Sequence, residues 1–367
     1  ITMPQKLCFF SKMNKFSINS SRVIPFFCLF LSGAASLVYE LIWIRQLALV
    51  FGGALYAISA VLCAFMTGLA LGAWIIGLFI NSRNVKKKPL NPVLLYGLIE
   101  GIIGLYAIVF PYGLELITSW YSPLVTEPLD LGYQLHWIEF ALSTALMLPA
   151  TTCMGATLPL IGSWSIGNKD DRILPDVSIL YSLNTFGAVA GCIFTQTVAV
   201  KYFGVSGTNL TAVGMNLFVF LLCVPLQKYL ANHLPIETPV PKRIKSYRGN
   251  SIPGRGLSLI LIFIFMYSGM ASLASEILWT RVLVFPMGTT LYSFALILAT
   301  FLFGIALGSL IADKLLGSSN LILKFLLIQL IIAISCIAIL PMFENLHKWT
   351  SQANHLFYDI DNAALRT

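Results

Sequence analysis

The sequence predicts an all-α integral membrane protein of about nine transmembrane helices. Hydrophobic residues make up 57% of the chain and charged residues 10%, whereas a soluble domain carries roughly 25% charged residues. Apolar runs of about 20 residues, long enough to cross ~30 Å of hydrocarbon, recur along the whole chain. In lipid such runs must be helical, because every backbone N–H and C=O group needs an internal partner. The predicted spans lie near 24–45, 55–80, 92–114, 137–163, 177–201, 206–227, 257–279, 290–313 and 320–342.

The distribution of lysine and arginine predicts the orientation, since these residues accumulate on the cytoplasmic side. With the N-terminus in the cytoplasm, eighteen of the 23 basic residues fall in inner segments, and the largest group lies in 228–256. The outer loop 115–136 instead carries Glu115, Glu127 and Asp130. The net charge of +8 is therefore explained by topology. A nucleic-acid partner is not predicted, because it would need the basic residues on one face.

An internal repeat defines the predicted architecture. Residues 32–74 and 268–310 align without a gap, with eighteen identities in 43 positions. The two copies begin at the first and seventh spans, so the repeat unit is six helices and both copies have the same orientation. This is the parallel repeat of the two halves of major facilitator transporters, with the second repeat incomplete. The identities include Ser32/Ser268, Gly33/Gly269, Glu40/Glu276, Trp43/Trp279, Arg45/Arg281, Tyr56/Tyr292, Gly68/Gly304 and Gly72/Gly308.

The repeat and the charge pattern divide the chain into five predicted parts. A first six-helix membrane repeat and a partial second repeat are joined by a basic cytoplasmic linker. The boundaries are 1–22 for a cytoplasmic N-terminal segment, 23–227 for the first repeat, 228–256 for the linker, 257–342 for the second repeat and 343–367 for an extracytoplasmic amphipathic tail.

Two Glu/Arg pairs occupy equivalent positions in the repeats, Glu40 with Arg45 and Glu276 with Arg281. Charges at membrane depth cost about 2.5–3.5 kcal/mol each, so they normally pair or face water. One interpretation is that these are structural ion pairs between the pseudo-symmetric helices. The other is that both glutamates line a path for a cation or for protons. The aromatic neighbours of these pairs are Trp43, Trp279, Tyr56 and Tyr292.

Glu100 lies in the middle of the third span, with no basic residue within two turns. We expect Gln329 to be the corresponding polar residue of the second copy. An intramembrane carboxyl group of this kind is a candidate for proton relay or cation binding. The alternative is a neutral carboxyl group that forms a hydrogen bond to a neighbouring helix.

Small residues predict where helices approach closely. We expect this role for Gly68, Gly72 and Gly77 on the second span and for Gly187 and Gly191 on the fifth.

The remaining polar residues do not form a predicted catalytic centre. Glu139 and His136 begin the fourth span and are interpreted as an interfacial anchor. The sequence has no Walker loop, GxSxG or HExxH motif and no cysteine pair with metal-ligand spacing. We therefore predict no catalytic residue, no metal site and no cofactor, and no enzyme activity within these residues.

Several segments are similar to bacterial proteins described as fused major facilitator/spermidine synthase, the membrane-embedded relatives of polyamine aminopropyltransferases. The resemblance covers roughly 25–340 and rests on SGAASLVYELIWIRQL, LPATTCMGATLPLIGSW and ILYSLNTFGAVAGCIFT. It implies the bacterial cytoplasmic membrane, and a helical region that commonly precedes a Rossmann-like synthase domain. No position here matches the catalytic motifs of that domain, so no catalytic residue is carried over. The natural chain is expected to be longer at either end.

Two functions remain open from the sequence. The first is a transporter-like membrane domain that binds or moves a small cationic or polar solute, with a polyamine suggested by the resemblance. The second is a non-transporting membrane subunit or anchor that scaffolds a larger complex or an associated spermidine-synthase-like domain.

The orientation can be tested by labelling introduced cysteines with a membrane-impermeant maleimide applied from outside. We expect modification of Ser122→Cys, in the outer loop, and protection of Ser246→Cys, in the basic linker. Labelling is compared with that of the parent chain, which has its own cysteines. The reverse pattern would overturn the predicted orientation.

Overall fold

The computed structural model describes residues 6–51, 54–81, 91–126, 132–167, 173–233, 255–287, 291–316 and 321–364. Apart from Asn91, all of these residues are helical, which confirms the all-α class. The helices of these ranges are α1 (Lys6–Phe51), α2 (Ala54–Asn81), α3 (Pro92–Thr126), α4 (Gly132–Gly167), α5 (Ile173–Phe194), a π-helical turn (Thr195–Ala199), α6 (Val200–His233), α7 (Arg255–Met287), α8 (Leu291–Leu316) and α9 (Leu321–Ala364). The linker 228–256 and the inner loop 81–92 lie largely outside the described residues, and so do 1–5 and 365–367.

Eight helical stretches of the described chain are long and apolar enough to cross a membrane. The longest, Val177–Lys228, has 52 residues, which is roughly 78 Å of helix and more than twice the thickness of the hydrocarbon core. The others are Val23–Phe51, Ile58–Ile80, Pro92–Pro123, Gln134–Ser163, Leu259–Leu283, Phe294–Ala312 and Ile322–Met342. The chain is therefore a multi-pass membrane protein.

The long stretch is interrupted at Gly204, which has a φ of 66° and a ψ of −172°. A side chain at a positive φ is strained, whereas glycine adopts it readily. The π-helical turn Thr195–Ala199 precedes this break by one turn. The interruption falls between the predicted spans 177–201 and 206–227, so the sequence placed the division correctly.

The described residues form two compact units, one within 1–248 and 299–311 and the other within 249–298 and 312–367. In the first unit α2 packs along α4, α1 packs along α5 and α6, and α3 contacts both α4 and α6. The 299–311 segment of α8 joins this unit against α5, where Phe186 and Phe303 make an edge contact with ring centroids 5.9 Å apart. In the second unit α7 contacts α9.

Glycines allow the closest of these contacts. A Cβ atom on Gly68 would overlap Thr151, and one on Gly72 would overlap the backbone carbonyl oxygen of Thr152 in α4. Gly187 and Gly191 of α5 meet the backbone of α1 in the same way. Four of the five predicted close-approach glycines are thus confirmed.

The prediction is wrong for Gly77, whose Cβ position has no neighbour within 4 Å. The small-residue pattern marks a face of α2, but the last turns of that face extend beyond the contact with α4.

These two positions give a matched pair for mutation. We expect Gly72→Ala to lower the free energy of unfolding by about 1–3 kcal/mol, because the added methyl group overlaps backbone that cannot move freely. Gly77→Ala, on the same helix, should leave stability unchanged or slightly raised. Unfolding in mixed detergent micelles would measure both. Equal stability of the two variants would contradict the close contact of α2 with α4.

Candidate functional site

Glu100 is completely buried in the first unit. It lies on α3 beside a glycine stripe that brings this helix against α6. A Cβ atom on Gly97 would lie 2.6 Å from the Cβ of Cys223, and one on Gly104 would lie 3.3 Å from the Cβ of Asn216. Because glycine has no side chain, α6 can pack close to α3 at these positions. This packing shields the carboxyl group of Glu100 from its surroundings.

Hydroxyl groups surround the Glu100 carboxyl group. Those of Ser32, on α1, and Tyr96, one turn before Glu100 on α3, lie against it, and Tyr39 of α1 also faces it. Yet neither carboxyl oxygen of Glu100 accepts a hydrogen bond of ordinary length and angle from a described residue. The hydroxyl oxygens of Tyr39 and Tyr96 are likewise buried without a partner among the described residues.

Thiol groups complete the surroundings. Cys28 of α1 and Cys223 of α6 lie side by side and adjoin Tyr96, while Cys153 of α4 lies further from Glu100. The side chains that act on Glu100 within the described residues are therefore hydroxyls and thiols, and none of them is cationic. The site can accommodate a proton on the carboxyl group or a small cation beside it, because either would neutralise a buried charge.

The second unit repeats one of these contacts. Gln329, on α9, donates a hydrogen bond of 2.8 Å from its side-chain nitrogen to the Oγ of Ser268 on α7. Ser268 aligns with Ser32, and Gln329 is the residue that we predicted to correspond to Glu100. A serine of the first repeat helix thus meets the polar residue of the third repeat helix in both copies.

Glu40 is the second candidate carboxyl group of the first unit. It is buried, with 2% of its surface exposed, and lies near Cys192 of α5. It is two turns beyond Ser32 along α1, or about 12 Å of helix.

The residues around Glu40 hold α1 in place. Trp43 is completely buried and stacks on Phe110 of α3, with ring centroids 4.2 Å apart and planes 9° apart. Its other stacking partner is Tyr39, at 5.3 Å. Arg45 donates a hydrogen bond to the side-chain oxygen of Gln196 in the π-helical turn. π-helical turns inside longer helices are frequent at functional sites.

In the second unit, Glu276 is the residue equivalent to Glu40. It is buried, and the hydroxyl of Thr280 donates a hydrogen bond to its backbone carbonyl oxygen. Trp279 is half-buried and Arg281 is exposed. The predicted ion pairs and the cation path through Glu40 and Glu276 both stay predictions. The side chains of Tyr56 and Tyr292 lie outside the described residues.

Sequence reasoning identified Glu100 but missed its surroundings. Tyr96 could have been found, because a residue four positions earlier lies on the same helix face. Tyr39 and Cys223 could not, because their approach to Glu100 depends on how α1 and α6 pack against α3.

Comparison with protein families, with curated proteins and with solved structures finds no match for this chain.

The effect of the Tyr39 hydroxyl on stability can be measured by mutation. We expect Tyr39→Phe to leave thermal stability in detergent unchanged or raised, because it removes a buried hydroxyl that has no partner among the described residues. Tyr106→Phe is the matched control, since the Tyr106 hydroxyl donates to the carbonyl oxygen of Leu146. That variant should lose about 0.5–1.5 kcal/mol. A larger loss for Tyr39→Phe than for Tyr106→Phe would show that the Tyr39 hydroxyl is engaged.

Proposed function

We propose that this chain is a transporter-like membrane protein that binds and moves a small cationic or polar solute, with Glu100 as its central binding group. The observation that carries the proposal is the completely buried Glu100 carboxyl group. Its neighbours among the described residues are hydroxyls and thiols, and its oxygens accept no hydrogen bond of ordinary length and angle from them. Ionisable groups inside membrane proteins are costly, and their presence usually marks a solute path or a proton relay.

The chemistry follows from the cost of burying charge. An isolated carboxylate in an apolar interior is destabilised unless it is paired, hydrogen-bonded or protonated. A proton or a cationic solute would supply the missing partner, and the hydroxyls of Tyr96 and Tyr39 could then hydrogen-bond to the solute or to the protonated acid. Exchange between proton and cation at one carboxyl group is a simple basis for coupled transport.

The repeated serine contact supports the proposed architecture. Ser32 lies against Glu100 in one unit, and Ser268 accepts a hydrogen bond from Gln329 in the other. We propose that the two copies derive from one six-helix repeat of the kind found in major facilitator transporters. On this proposal the second copy keeps the contact but has an amide in place of the titratable group.

A polyamine is our proposed solute, and the bacterial cytoplasmic membrane with a cytoplasmic N-terminus is the proposed location. Both rest on the resemblance to fused major facilitator/spermidine synthase proteins. Ammonium groups on a flexible apolar chain suit a carboxyl group with tyrosines beside it. We propose no catalytic role for these residues.

The second candidate function is a non-transporting subunit or anchor. The observation in its favour is the exposed apolar surface of α7 and α9. Only 6% of the membrane-spanning segment of α7 is buried, and none of that of α9. Such surfaces contact lipid or another subunit, including an associated synthase domain. In this case Glu100 would be a neutral packing group.

The central test replaces Glu100 by glutamine and measures spermidine binding to purified protein across about pH 5 to 8. We expect Glu100→Gln to stay folded, because the amide keeps the shape and hydrogen-bonding capacity of the carboxyl group and removes only its charge. Spermidine affinity should fall about tenfold to hundredfold, the value of a charge-assisted hydrogen bond. The dependence of binding on pH should disappear with the carboxyl group.

Glu115→Gln is the matched control, since Glu115 is exposed on the same helix and the change in net charge is the same. In the wild type and both variants, uptake of labelled spermidine into proteoliposomes should change in parallel with spermidine affinity. Equal affinities of wild type and Glu100→Gln at every pH would remove Glu100 from the mechanism. A folded wild type that binds no spermidine would favour the anchor.

A further inference from the structure

A cavity of about 230 Å³ opens at the end of the bundle where α1 ends and α2 begins. Its walls come from α1, α2 and α4, and they are mainly apolar. Its polar lining includes the carboxyl group of Glu139, the imidazole of His136 and the hydroxyl of Ser59. Tyr121, which holds Glu139, is 21 residues from Glu100 along α3, or about 30 Å of helix, so this is a separate site.

Two neighbours hold the Glu139 carboxyl group in a fixed orientation. The Tyr121 hydroxyl of α3 donates to one oxygen at 2.6 Å. The Nδ1 of His136, one turn earlier on α4, lies 3.2 Å from the other oxygen. Only 6% of Glu139 is exposed. Each oxygen can accept a further hydrogen bond, because a carboxylate has about four acceptor positions.

Aromatic rings surround this carboxyl group. Phe51, Trp137 and Phe140 line the cavity. Phe51 is also held edge-on by Tyr121, with ring centroids 5.0 Å apart and planes 81° apart. Trp137 and Phe140 make a similar edge contact at 6.5 Å and 86°. Aromatic faces attract organic cations, and cages of such rings recognise alkylated ammonium groups.

We propose that this cavity is a binding site for a small alkylammonium ion, with Glu139 as the counter-ion and Phe51, Trp137 and Phe140 as the cage. The apolar walls disfavour a hydrated inorganic ion, which would lose its water without receiving enough ligands. One fixed carboxyl group matches a single positive charge. The cavity volume of about 230 Å³ gives room for a small organic cation such as choline.

Choline and its uncharged analogue 3,3-dimethyl-1-butanol are the probes for this site. The two have the same shape, but only choline carries the charge. We expect choline to raise the thermal stability of the protein in an uncharged maltoside detergent, and the analogue to raise it much less. Equal stabilisation by the two probes would overturn the proposal, because the positive charge would then contribute nothing to binding.

Trp137→Ala should weaken choline binding about threefold to thirtyfold through loss of one aromatic wall. Trp120→Ala is the matched control, since both tryptophans are 73% exposed and Trp120 does not line the cavity. Because both side chains are exposed, neither change should prevent folding. Glu139→Gln should weaken binding at least tenfold. Unchanged choline binding in Trp137→Ala would overturn the proposal.

A lipid headgroup carries the same chemistry as free choline, and a second measurement distinguishes the two sources. Short-chain phosphatidylcholine is compared with phosphatidylglycerol of the same chain length. Stabilisation by phosphatidylcholine that is lost in Trp137→Ala, with no response to free choline, would assign the site to a headgroup. A response to free choline assigns it to a soluble ammonium ion. A response to neither would overturn the proposal.

Discussion

The close approach of helix backbones at glycines is the contact on which the first unit depends. α5 meets α1 at Gly187 and Gly191, and α4 meets α2 at Gly68 and Gly72. In lipid there is little hydrophobic gain from helix association, so packing at short range has to supply the stability. These contacts fix the position of α1, and with it the position of every α1 side chain that reaches the centre of the bundle.

The polar centre of the unit follows from that arrangement. Because α1 is held against α5 and α6, Ser32 and Tyr39 face Glu100 on α3. The carboxyl group is then enclosed by hydroxyls and thiols, without a cation among the described residues. A bundle that only needed to be stable would be favoured by an apolar residue here, since an unsatisfied buried carboxyl group costs stability. The acid at this position is the basis of the proposed binding role.

Glu139 of α4, which meets the far end of α3 at Tyr121, shows a different use of a carboxyl group. Glu139 is held by one contact on each oxygen, from Tyr121 and from His136, and it lines a cavity that also has aromatic rings in its wall. Glu100 is enclosed with no such support from the described residues. The first arrangement is preorganised for a ligand of fixed shape, and the second is suited to a group that gains and loses a proton or a cation.

The amino-acid sequence by itself determined the membrane class, the helix positions and the break between the fifth and sixth spans. These are local properties, because the bilayer requires each apolar segment to satisfy its own backbone hydrogen bonds. The sequence also singled out Glu100, since a carboxyl group in an apolar span is visible without a structure. The sequence also paired Glu100 with Gln329. In the structure Glu100 lies against Ser32, and Gln329 donates a hydrogen bond to Ser268.

Only the tertiary structure decided which side chains meet. It placed Tyr39 and Cys223 around Glu100, left Gly77 without a partner, and turned Glu139 from an expected interfacial anchor into the wall of a cavity. Each of these outcomes depends on contacts between segments that are far apart in the chain. Helical periodicity gives the face on which a residue lies, but the neighbour of that face is set by the packing of whole helices.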